Sequence, residues 1–99
     1  MNRKDILVTY DVNTETREGR RRLRQVAQLC ENYGQRVQYS VFECSVTPAQ
    51  LEQLEHEVIN TMDKDEDSVR IYILNGGREA SLRAYGRDRY IDFDGPLVI

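Results

Sequence analysis

Hydrophobic positions along the chain switch between two periods, and the switches mark its elements. From Asp5 to Asp11 (DILVTYD) apolar β-branched and aromatic residues run almost unbroken, and both parities are mostly apolar. Such a run predicts a strand covered on both faces and therefore central in a sheet. From Arg17 to Tyr33 the apolar positions become Leu23, Val26, Ala27, Cys30 and Tyr33, which is helical spacing, with Gly34 as a stop. Asn13, Thr14 and Thr16 are candidate caps for this helix, and Glu18 sits favourably in its first turn. In Gln35 to Val46 the period returns to two but changes parity: Val37, Tyr39 and Val41 mark one phase, Phe42, Cys44 and Val46 the other. A strand flips parity only at a turn or a bulge, so two short strands or one bulged strand are expected, broken near residues 38 to 42.

Thr47-Pro48-Ala49-Gln50 places a capping Thr, a Pro at the first helical position and a Gln at the third, a strong helix start. Leu51, Leu54, Val58 and Met62 form the buried face of the helix that follows, which ends in the acidic loop Asp63 to Asp67. Val69 to Leu74 alternates as a strand, and Asn75-Gly76-Gly77 breaks it. Beyond lie a short helix over Glu79 to Tyr85 and an apolar ending, Pro96 to Ile99, expected either to fold back as an edge strand or to add to a partner's sheet.

The order β, α, β, β, α, β with an extra C-terminal strand predicts an α+β, ferredoxin-like sandwich: two helices on one face of an antiparallel sheet. With 99 residues the chain is expected to form one domain, a core over 1–75 and an extension over 76–99. The sheet's other face lacks cover, which a two-fold symmetric partner would supply most simply.

Composition, 39% hydrophobic and 31% charged, is that of an ordinary globular domain. Ile6 to Val8 is too short for a signal segment and no apolar stretch approaches a membrane span, so a cytoplasmic protein away from membranes is expected. Cys30 and Cys44 sit in apolar patterns without metal-ligand spacing and read as small core residues. The net charge of -3 argues at first against nucleic acid, but its distribution reverses that reading. Residues 17 to 36 carry six arginines against two acids, and residues 43 to 67 carry eight acids against one lysine. Local potential, not the sum, steers a polyanion.

Two features carry candidate chemistry. Asp11 ends the first strand where the chain leaves the sheet, and the arginines follow directly; a turn-forming Asp is the plainer alternative. Arg17, Arg21, Arg24 and Gln28 align on one helix face, and with Arg20, Arg22 and Arg36 they form a basic set whose signs are too uniform for a merely solvated surface. Phosphate binding is the better reading. One carboxylate does not make a metal site, but a two-fold dimer that brings one Asp11 to its axis brings both, and magnesium suits such a pair. Phe42 and Tyr39 read as core or interface aromatics, with stacking on a base as the alternative.

The segments Val8-Thr9-Tyr10-Asp11-Val12, Gly19-Arg20-Arg21-Arg22-Leu23-Arg24 and Tyr33-Gly34-Gln35-Arg36-Val37-Gln38-Tyr39-Ser40-Val41-Phe42-Glu43-Cys44 resemble the second of the two core CRISPR adaptation proteins, the small endonuclease of spacer acquisition. The tail Asp94 to Ile99 is similar to one of its subtypes. The resemblance implies a ferredoxin-like homodimer whose C-terminal strand pairs with the other protomer. It implies a magnesium-dependent endonuclease acting on RNA or DNA, with Asp11 as catalytic metal ligand. Tyr10, Phe42, Arg36, Arg20 and either Arg22 or Arg24 would support the site. It also implies a bridging role, in which the dimer links copies of the larger adaptation integrase and holds the duplex DNA to be inserted.

Overall fold

The structure is a computed structural model that describes residues 2–91. Its elements are β1 (Lys4–Asp11), α1 (Arg17–Glu31), β2 (Gly34–Gln38), β3 (Val41–Val46), α2 (Pro48–Thr61), β4 (Ser68–Ile73) and α3 (Arg78–Ser81). The strands form one antiparallel sheet in the order β2-β3-β1-β4, the predicted ferredoxin-like arrangement.

β1 is central, as its apolar run requires. Ile6 and Val8 face Cys44 and Phe42 of β3 on one side, and Ile73 and Ile71 of β4 on the other. These even-numbered positions point toward the helices, where Ile6, Val8, Phe42, Val46, Val26, Cys30 and Leu54 are fully buried. Each large side chain so buried stabilises the fold by about 1.5–3 kcal/mol. The odd positions behave differently from the expectation of two covered faces: Leu7 and Thr9 are half-buried and Asp11 is exposed. Neither α1 nor α2 lies on that side; its β1 positions run Asp5, Leu7, Thr9 and Asp11, and α3 reaches it only at the Asp5 end, through Arg78.

Thr16 is the cap of α1, accepting a hydrogen bond from the Gly19 N–H at 3.0 Å. The helix stops at Glu31, short of the predicted Tyr33, and Gly34 is no helix cap. Gly34 opens β2, where a Cβ would overlap Glu43 O and Cys44 Sγ, so its missing side chain lets β2 close on β3. The parity change resolves into both expected devices, a turn at residues 39–40 and a register shift between Arg36 and Gln38. The α2 start forms as read: Thr47 N–H donates to Gln50 Oε1 at 2.9 Å, and Gln50 N–H donates to Thr47 Oγ1 at 3.2 Å.

Beyond β4, Gly76 and Gly77 turn the chain with φ of 82° and 87°, values open to glycine. The helix predicted over Glu79 to Tyr85 is confined to the four residues of α3. The apolar ending Pro96 to Ile99 lies outside the described residues. Cys30 and Cys44 are free and buried; burial pushes their thiols up to about 11 and about 12. Among the described residues no helix is long and apolar enough to cross a membrane.

Candidate nucleic-acid and metal site

Asp11 stands at the end of β1, in register with Ser68 of β4, and on the sheet face turned away from α1 and α2. It borders an open depression formed with Thr9, Tyr10, Ser68, Arg70 and Tyr72. Its carboxylate is exposed and has no hydrogen-bond or ion-pair partner among the described residues. A free carboxylate oxygen is a hard donor, the type that divalent oxygen-seeking cations take. Among the described residues no group of three or more His, Cys, Asp or Glu is placed to hold a metal, so one protomer offers this site a single carboxylate.

The strand's alternation separates Tyr10 from Asp11. Tyr10 points into the core with 6% of its surface exposed, and Phe42 has none exposed. The resemblance implies both as residues of the site; in the structure their rings lie in the core, and Tyr10 also borders the depression beside Asp11. The two rings lie 6.2 Å apart, and the Tyr10 hydroxyl donates to Tyr39 O at 3.4 Å. The Tyr10 N–H donates to Ser40 O at 3.1 Å, so Tyr10 pins the β2–β3 turn beside Asp11 through both its backbone and its side chain. Burial pushes the Tyr10 phenol above its usual range, opposed by the nearby Arg36. Arg36 is exposed and lies with its guanidinium carbon 5.3 Å from the Phe42 ring centroid. Tyr39, on the pinned turn, is 86% exposed, which removes it from the core.

The basic set divides. Arg17, Arg21 and Arg24 line an exposed groove on α1 together with Glu18, and their guanidiniums have no partner among the described residues. Arg20 donates to Thr14 O at 3.2 Å and remains exposed. Arg22 departs from the predicted phosphate-binding set. It turns inward to Asp67, with Nε 2.8 Å from Oδ2 and Nη2 3.3 Å from Oδ1.

Asp67 escapes a reading of the sequence, where it is the last of a run of acids in a loop. In the structure it is the buried charged residue among those described, and its side chain is fully enclosed. Besides Arg22, its oxygens accept the N–H of Asn13 at 3.2 Å and of Asp63 at 2.9 Å. These donors hold its carboxyl below the ordinary range, the Arg22 hydrogen bond most of all. The one hint in the sequence is its position immediately before a strand, which any loop acid can share.

A family model described as CRISPR associated protein Cas2 matches residues 4–81. A protein of Moorella thermoacetica named CRISPR-associated endoribonuclease Cas2 1 is 54% identical over 94 residues, covering 95% of this chain and 98% of that protein. The crystal structure of Streptococcus pyogenes Cas2 at pH 6.5 matches with a TM-score of 0.74 and 52% identity, over 83% of this chain and 99% of that one. A chain of a partial Cas6-RT-Cas1–Cas2 complex matches with a TM-score of 0.65 and 30% identity, over 97% of both chains. With a family model matched over residues 4–81 and a relative 54% identical over 95% of its length, the chain belongs to the CRISPR-associated Cas2 family.

Proposed function

We propose that the chain is a magnesium-dependent endonuclease of CRISPR adaptation, a homodimer that hydrolyses phosphodiester bonds in RNA or duplex DNA and works with the larger adaptation integrase. The observation that carries this reading is Asp11: an exposed carboxylate, without a partner among the described residues, at a strand end on the sheet face turned away from α1 and α2. A two-fold axis near the end of β1 would bring a second Asp11 to the first, and two close carboxylates favour a shared cation. Magnesium fits, since it takes one or two carboxylates and fills its other positions with water and phosphate oxygens. When bound, it would supply positive charge against the reacting phosphate and acidity to a water molecule.

The chain's own residues bind and orient. Arg17, Arg21 and Arg24 offer three free guanidiniums along one helix face to a sugar-phosphate backbone. Arg20 and Arg36 add exposed cations from α1 and β2, Arg36 steadied against Phe42. Tyr10 fixes the turn that carries Tyr39, whose exposed ring offers a stacking face to a base.

A gel assay of wild type and Asp11→Asn against RNA and duplex DNA, with and without magnesium, tests the reading. Cleavage that needs both magnesium and Asp11 is expected; cleavage that survives the substitution would end it. A second reading, a non-catalytic scaffold holding duplex DNA for the integrase, is favoured by the likeness to a chain from a complex whose name includes Cas1. In that case Asp11→Asn leaves integration of a DNA fragment with the larger partner intact.

A further inference from the structure

The Asp11 carboxylate touches nothing that fixes it, so its place is set by its backbone alone, and that backbone is held from both sides by one residue. Asp67 receives the N–H of Asn13, two residues beyond Asp11, and it directly precedes Ser68, the register partner of Asp11. The same carboxylate closes the acidic loop through Asp63 N–H and takes both donors of Arg22 from α1. Four hydrogen bonds thus fall on two enclosed oxygens, and loop, helix and two strand ends meet there. Asn13 is fastened a second time, donating from Nδ2 to Glu66 Oε2 at 2.7 Å. A buried charge persists only where its partners are complete, so the arrangement tolerates little displacement.

We infer that Asp67 is a positioning residue for Asp11, and that Arg22 serves the site through Asp67 instead of gripping phosphate. This rests on the nuclease reading, because a carboxylate that must meet its symmetry mate across an axis loses function when displaced by about 1 Å. The neighbouring arginines bear the contrast: Arg17, Arg21 and Arg24 point into an open groove, whereas the Arg22 side chain keeps 18% of its surface exposed.

The test uses the full chain with Asp67→Asn, Arg22→Gln and Asp11→Asn, at a temperature where circular dichroism shows each folded. Asp67→Asn is nearly isosteric but sets an amide among donors. Cleavage kinetics should show kcat lowered roughly 10–100-fold with KM little changed. Titration with Mn2+, followed by its paramagnetic relaxation, should show weaker binding than wild type. Arg22→Gln should give the same pattern and leave the slope of nucleic-acid affinity against salt unaltered. Wild-type kcat and Mn2+ affinity in folded Asp67→Asn would overturn the inference, as would an Arg22→Gln variant that loses about one unit of salt slope at constant kcat. Should Asp67→Asn fail to fold, Arg22→Lys, which keeps the charge but not the two-pronged donor, must lower kcat and not the salt slope. Cleavage by Asp11→Asn equal to wild type would instead overturn the nuclease reading.

Discussion

Arg78 reaches back 35 residues so that its Nε lies 2.6 Å from Glu43 Oε1, with both side chains largely buried. Its backbone N–H donates to Asp5 Oδ2 at 2.8 Å, and its guanidinium carbon lies 3.4 Å above the Tyr90 ring. One residue therefore ties the segment after β4 to β1 through its backbone and to β3 through its side chain. Arg78→Ala leaves Glu43 desolvated without its cation, at a cost of about 2 kcal/mol. Urea denaturation should show that loss, and limited proteolysis should cut residues 82–91 sooner than in wild type. Unchanged stability would mean that Glu43 finds water instead.

Gly34→Ala drives a methyl group into Glu43 O and Cys44 Sγ. Backbone cannot yield as a flexible side chain does, so a destabilisation of about 1–3 kcal/mol is expected from denaturant midpoints. A midpoint within error of wild type would show that β2 moves off β3 without penalty.

Acid stability follows from Asp67. Its folded carboxyl is held below the ordinary 3.8, so its contribution is present above that value and is lost as pH falls through the folded value. Wild type should therefore lose stability steeply below about pH 4, and Asp67→Asn should lose less over the same interval. Parallel pH curves for the two proteins would contradict this assignment.

Binding of a short duplex or single strand to the arginine groove should weaken steeply with salt. Removing Arg17, Arg21 or Arg24 singly should reduce the logarithmic slope by about 0.9, or about 0.7 on a single strand. Fluorescence anisotropy across a salt series measures it. Equal slopes in all three variants and wild type would take the groove out of the interface.

Cys30 and Cys44, pushed up to about 11 and about 12 by burial, should resist a thiol reagent at pH 8 in the native protein. Both should react at once in guanidinium. Rapid native labelling would indicate that the core beneath β3 opens readily.

Local rules carried the reading of the elements. The capping box at Thr47 and Gln50, the helical spacing from Leu23 to Cys30 and the parity change before Phe42 involve residues a few positions apart. Near neighbours suffice to determine such features. Asp11 was legible for the same reason, as an acid closing a strand. The motifs joining it to the arginines and to Phe42 were likewise present in the linear order.

The amino-acid sequence by itself therefore determined the order of elements, the sandwich they form, the family and the exposed acid of its first strand. Only tertiary structure decided which charged and aromatic residues remain available to a ligand. Arg22 looks like Arg21 until α1 packs beside the loop 45 residues later and hands it to Asp67. Tyr10 looks as accessible as Asp11 until the sheet's register turns one inward and the other outward. Gly34 looks like a helix stop until β3 lies against it. In each case the deciding partner is distant in the chain, and a side chain's chemistry does not say whether it will meet water or a neighbour.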